Sequence, residues 1–169
     1  MRIARLLPHL ATFIQAFFDI HFIRVYHSDD PKSKEGELMT INWLAVIVAT
    51  VASWALGAAW YMIFAKQWLA AIGKTRDQIN AKDFTPYIYS VVVQLVMAIV
   101  LSVVIAPLFG SRTIVTGLQA GALMWLGFVI TSMIQGHRYE GAPWSRTLID
   151  GGYMLAVLLV QGIVIGLFG

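Results

Sequence analysis

Cysteine is absent from this 169-residue chain, which excludes disulfides, thiol catalysis, cysteine-ligated zinc and iron–sulfur clusters. Charge is scarce. Soluble domains carry roughly 25% Asp, Glu, Lys and Arg; here these residues make up 12%, while 59% of the chain is hydrophobic. A soluble fold of this length cannot hide that much apolar surface in one core, so lipid must be the solvent for much of it. Also missing are a Walker loop, an H-E-x-x-H, a G-x-S-x-G and a dinucleotide fingerprint. The net charge of +3 is no nucleic-acid signature, because the basic residues lie between apolar runs, where they set topology and touch anionic headgroups. The lipid bilayer is the expected partner; no nucleic acid and no cofactor is expected.

What the chain does contain is four apolar runs, over about residues 43–64, 86–109, 113–135 and 146–168. At ~1.5 Å rise per residue, each is long enough as a helix to cross a ~30 Å hydrocarbon layer. The expected fold is therefore an all-α membrane protein, with four transmembrane helices in an antiparallel bundle filling residues 39–169. The link Gly110-Ser-Arg-Thr113 is short enough to make the second and third helices antiparallel neighbours. The first helix reads as the packing partner of the others. Pro107 and Gly110 close the second helix. Gly73 reads as a C-cap, Thr75 to Gln78 as a capping box opening a short surface helix, and Thr85-Pro86 as the next helix start.

Residues 1–38 differ. Pro8 and His9 interrupt what would be the apolar core of a signal peptide, and Asp19 and His21 would be costly at the centre of a membrane span. An interfacial amphipathic helix followed by a polar linker fits better. Equally, Met39 stands immediately before the first clean span and is an alternative natural start. Counted from Met39, the loops after the first and third spans hold Lys66, Lys74, Arg76, Lys82, Arg138 and Arg146, against Arg112 on the other side. The positive-inside rule then puts the larger loops in the cytoplasm. Arg2, Arg5, Arg24, Lys32 and Lys34 blur this count if the extension is native.

In lipid, helices associate through close backbone approach and interhelical hydrogen bonds. Ala45, Ala49, Ser53 and Gly57 form an i+4 stripe on the first helix, and Gly117/Gly121 and Gly162/Gly166 form GxxxG pairs on the third and fourth. These suit packing within one chain, or a homo-oligomer seam. Gln94, Gln119 and Gln161 lie inside spans; each amide needs a partner, either a neighbouring helix or, together with Ser53, Ser102 and Ser132, a polar cavity for a small solute. Asp150 is the sole acid in the four runs and sits four residues after Arg146, so it reads as an interfacial cap or ion pair, with proton or ligand handling as the alternative. Trp54 and Trp125 each precede a glycine closely, as a ring beside a packing notch. His137, beside Arg138 and Glu140, reads as a solvated loop residue. No catalytic residue, cofactor site or metal site stands out.

Asn42-Trp43-Leu-Ala-Val, Gly57-x-x-Trp60-Tyr61, Phe64-x-Lys66-x-Trp68, Trp125-Leu-Gly-Phe128 and Gly152-Tyr153 resemble, in order and spacing, the bacterial membrane family known as domain of unknown function 1761. The resemblance implies a short four-helix membrane protein with no assigned activity, and it leaves residues 1–38 uncovered. Three classes of function stay open. The first is a structural or interaction subunit of the bacterial inner membrane, working as a homo-oligomer or beside a larger membrane partner. The second is an oligomeric transporter or channel using the intramembrane Gln and Ser residues and Asp150. The third is a membrane enzyme acting on a lipid or quinone, with Asp150 and Tyr153 or Arg146 as its acid–base pair.

Overall fold

The computed structural model describes residues 41–80 and 83–169. The interfacial helix expected within residues 1–38 lies outside the described residues. Among those described there is no strand; four helices are long and apolar enough to cross a membrane, at Trp43–Ile63, Thr85–Phe109, Ile114–Tyr139 and Trp144–Leu167. The chain is an all-α membrane protein.

Helix α1 (Trp43–Ile63) is opened by Asn42, whose side-chain oxygen accepts the Ala45 N–H at 3.1 Å. It stops at Phe64, where ψ rises to 14°, and the chain resumes as the short α2 (Ala65–Ala71). Gly73 then takes a φ of 67°, and Lys74 N–H returns to the Leu69 carbonyl at 3.0 Å, closing the helix in a Schellman-type bond. The capping box at Thr75 is formed, with the Gln78 side chain accepting the Thr75 N–H at 3.0 Å, yet it opens only a single 3-10 turn, Arg76–Gln78.

Helix α3 (Thr85–Phe109) starts one residue earlier than Thr85-Pro86 suggested, because Phe84 already has helical angles. The N-cap Phe84 offers no side-chain bond; the residue before it, Asp83, accepts the Thr85 N–H on its carboxylate at 2.9 Å. The Thr85 side-chain hydroxyl first, and that backbone bond second, lower the pKa of the exposed Asp83 carboxyl from its ordinary value. Pro107 is accommodated in the last turn before Gly110 at φ 73°.

The third span comprises α4 (Ile114–Met124), a π-helical turn (Trp125–Val129) and α5 (Ile130–Tyr139). Side-chain hydroxyls bond back to carbonyls of the π turn: Thr131 donates to the Gly127 carbonyl at 2.9 Å, and Ser132 donates to that of Phe128. Helicity runs on through His137 and Arg138, leaving a shorter link than the polar loop Gly136 to Ser145 would give. Helix α6 (Trp144–Leu167) forms the fourth span.

The hub of the bundle is α6, not α1. It packs at length along α4 and α1 and also touches α3, while α1 lies mainly against α3 and α6. The physical reason is that α6 carries small residues on more than one face. Gly162 and Gly166 meet α4, where a Cβ on Gly162 would run into the Gly117 backbone and one on Gly166 into Thr113. Gly151 receives the Ile130 side chain of α5, and Gly152 receives the Trp60 ring of α1. The two GxxxG pairs thus face each other inside the chain, with backbones closer than any side chain would allow. The α1 stripe Ala45, Ala49, Ser53 and Gly57 is buried throughout. Val46, Ala49, Ala98, Leu101, Ile105, Ala120 and Ile165 form the apolar core between the helices.

These contacts also fix the topology. The Asn42 amide donates to the Phe168 carbonyl at 3.4 Å and Gly166 lies on Thr113, so the starts of α1 and α4 share one end of the bundle with the finish of α6. The other end holds α2, the link between α5 and α6, and Asp150.

Candidate functional site

Polar groups that would be costly in hydrocarbon gather along one face of α6. Arg146, Asp150, Tyr153 and Gln161 follow each other at helical spacings of four, three and eight, with buried Val157 between the last two, so they line one seam toward α1 and α3.

The deep part of the seam is a closed set of hydrogen bonds. The Ser53 hydroxyl of α1 donates to Gln94 Oε1 at 2.8 Å, and Gln94 Nε2 of α3 donates to the Tyr153 hydroxyl at 2.7 Å. From α6, Gln161 Nε2 donates to Ser53 Oγ and to the Gln94 backbone carbonyl, each at 3.0 Å. Ser53 and Gln161 are wholly buried and Gln94 nearly so. Each amide therefore ties its own helix to the two others, which is how hydrocarbon-buried polar groups become attractive instead of penalising. One acceptor, Gln161 Oε1, is buried without a partner.

The shallow part centres on Asp150. Its Oδ1 accepts the Tyr61 hydroxyl at 3.0 Å and the Trp68 indole N–H at 3.1 Å, clasping the end of α1 and the middle of α2 to the second turn of α6. Arg146 lies farther off, 3.8 Å from Oδ2, and makes its shorter ion pair with Glu140 at 2.8 Å. The enzyme alternative coupled Asp150 to Tyr153 or Arg146, but Asp150 is bonded by Tyr61, while Tyr153 belongs to the glutamine set. The two parts of the seam touch only through aromatic edges, with the Tyr61 and Tyr153 rings 5.1 Å apart at 61°. Tyr153 fits there because Gly57 faces it: a Cβ on Gly57 would come within 2.9 Å of the Tyr153 hydroxyl.

Other residues singled out from the sequence are placed elsewhere. Gln119 is exposed on the outer face of α4, and Ser132 is exposed and bonded within its own helix, so neither joins Gln94 and Gln161. The ring-and-notch pairs are interhelical: Tyr153 sits on Gly57 and Trp60 on Gly152, whereas Trp54 is 39% exposed and nothing would meet a Cβ on Gly127. Trp125 donates its indole N–H to the Gly151 carbonyl at 2.8 Å, bracing the π turn against α6. His137 is buried, not solvated; its Nδ1 shares a 2.9 Å hydrogen bond with Thr147, whose oxygen also accepts from Arg138 at 3.3 Å. Arg138 lies over the Trp144 ring at 4.1 Å. Tyr61 and Trp68, which hold Asp150, were not among the candidate residues because each reads alone as an interfacial aromatic, although their spacing of seven puts both on one helix face. No group of three or more metal-ligating side chains occurs among the described residues.

Four membrane-length helices, locked by a polar seam and glycine contacts, define a multi-pass α-helical membrane protein. Residues 44–166 match the family model described as Protein of unknown function (DUF1761), and the chain belongs to that family. No curated protein and no solved structure matches the chain.

Proposed function

We propose that the chain is a structural or interaction subunit of the bacterial inner membrane, a self-contained four-helix scaffold that works through what it presents to lipid and to neighbours. The observation that carries this reading is the mutual bonding of Ser53, Gln94, Tyr153 and Gln161 across α1, α3 and α6. A solute path leaves its polar lining open to the solute; here the lining groups bond one another. Asp150 acts as a clasp that sets the angle between α1, α2 and α6. The bundle end that carries Asp150 also holds Lys66, Lys74, Arg76, Arg138 and Arg146, against Arg112 at the opposite end, and we assign it to the cytoplasm.

The transport alternative draws on one specific observation, the unpartnered Gln161 Oε1 at the deep end of the seam. Vesicles carrying the purified chain decide between the two. On the scaffold reading they show the same permeability to glycerol, urea and ammonium as empty vesicles, and purification in mild detergent returns the chain self-associated or with a stoichiometric membrane partner. Saturable flux that Gln161→Leu or Asp150→Asn abolishes overturns it.

A further inference from the structure

The same bundle that bonds two of its glutamines to neighbouring helices leaves a third without such a bond among the described residues. Gly117 lies on Gly162 and Gly121 on Leu158, so Gln119, between the two glycines, is level with Gln161. It is about 11 Å from the midpoint of the span Ile114–Tyr139, inside the ~15 Å half-thickness of the hydrocarbon layer. Yet Gln119 is exposed, and its amide makes no hydrogen bond with any described residue. The third span is also the least covered of the four, 17% buried against 28% or more for the others. Thr131 and Ser132 on the same span cap carbonyls of their own helix, while Gln135 is exposed like Gln119 and lies slightly farther out, about 13 Å from the midpoint.

We propose that two copies of this chain pair through the outer face of α4, with the two Gln119 amides hydrogen-bonded to each other. This rests on the scaffold reading and names its partner. A primary amide carries one acceptor and a donor pair, so across a two-fold axis it satisfies its own image with two reciprocal N–H···O bonds. An axis along the membrane normal puts both copies in the same orientation and both amides at the same depth, which a partner of different sequence matches only by carrying a polar group at that level. The flanking surface suits such an approach. Val115, Ala122 and Leu126, at i−4, i+3 and i+7 from Gln119, are exposed and apolar, and Ala122 is small enough for the backbones to come close. No charged residue occurs from Ile114 to Gly136, so identical faces meet without repulsion.

The lack of cysteine makes the test direct, since one introduced thiol is the only one in the chain. Ala122→Cys reports on the proposed face and Val100→Cys on the exposed face of α3. Both are oxidised with copper phenanthroline in native membranes and run on non-reducing gels. The expected result is a disulfide-linked dimer for Ala122→Cys, at least tenfold more abundant than for Val100→Cys, and reduced about tenfold by adding Gln119→Leu. Gln119 bonds to nothing in the bundle, so an unchanged thermal transition of Gln119→Leu in detergent verifies that folding is intact. Equal cross-linking at both positions, no cross-link at Ala122→Cys, or cross-linking indifferent to Gln119→Leu overturns the proposal. The mass of the unaltered chain in mild detergent separates the failures. A dimer that cross-links elsewhere defeats this seam alone, whereas a lone monomer with solute flux defeats the scaffold reading as well.

Discussion

Gln161 and Gln119 stand at the same depth of the bundle on adjacent helices, and their surroundings are opposites. Gln161 is wholly buried and its amide nitrogen ties α6 to both α1 and α3. Gln119 faces outward and has no hydrogen-bond partner among the described residues. Residue type and level in the membrane are shared, so the difference lies in which face of the helix the close glycine contacts leave over. Gly117 and Gly121 must face α6 because nothing larger fits there, and a residue midway between them on α4 is thereby turned away from that contact. The inner seam is locked by three-way hydrogen bonding, and the outer face is left exposed.

The comparison breaks most severely where the glycine contact is removed. Gly117→Val is expected to cost about 3 kcal/mol or more, because its side chain would enter the Gly162 backbone and force the two helices apart. Loss of the folded bundle in thermal or mild denaturant titration would register it. Next comes the shallow clasp: Asp150→Ala strands the Tyr61 and Trp68 donors at a cost of about 2 kcal/mol. Asp150→Asn, which keeps an acceptor, should lose less, and Trp68 fluorescence would follow both. In the deep seam, Gln94→Leu removes bonds to Ser53 and Tyr153 and should cost about 1 kcal/mol. Gln119→Leu, the same change of chemistry on the outer face, should leave the stability of the single chain within about 0.5 kcal/mol. If Gln94→Leu and Gln119→Leu prove equally costly, the contrast between the faces is wrong.

The smallest effect concerns Asp83, outside the spans. Its folded pKa is depressed by the Thr85 hydrogen bonds, so its stabilising contribution is present above the unfolded pKa and fades as pH falls through the lower folded value. Fraying of the first turn of α3 should therefore appear only in acid, below the ordinary carboxylate range. Hydrogen exchange at Thr85 and the residues after it would detect it, and Asp83→Asn should shift the pH at which it begins.

Much of the architecture was legible in the sequence because the membrane imposes a one-dimensional rule: a long run without charge becomes a spanning helix. The helix ends at Gly73 and Gly110 were legible for a similar reason, since each glycine acts on backbone within one turn of itself. The identity of the hub was not. Alanine and glycine at i+4 on α1 resemble those on α6, and only packing reveals that α6 uses several faces where α1 uses fewer. The partners of Asp150 were legible only in part. Arg146 had the right spacing and lies 3.8 Å from Asp150 Oδ2, with its shorter ion pair to Glu140, whereas Tyr61 and Trp68 arrive from far along the chain.

By itself the sequence determined that this is a helical membrane protein with four spans, because hydropathy and length depend on composition along the chain and on nothing else. It also determined that its polar residues would be few and consequential. Only the tertiary structure decided which of them meet, since a hydrogen bond between helices depends on their rotation and depth, and those are set by where backbones come closest. That is why the four spans could be counted from the letters, while the opposite fates of Gln161 and Gln119 could not.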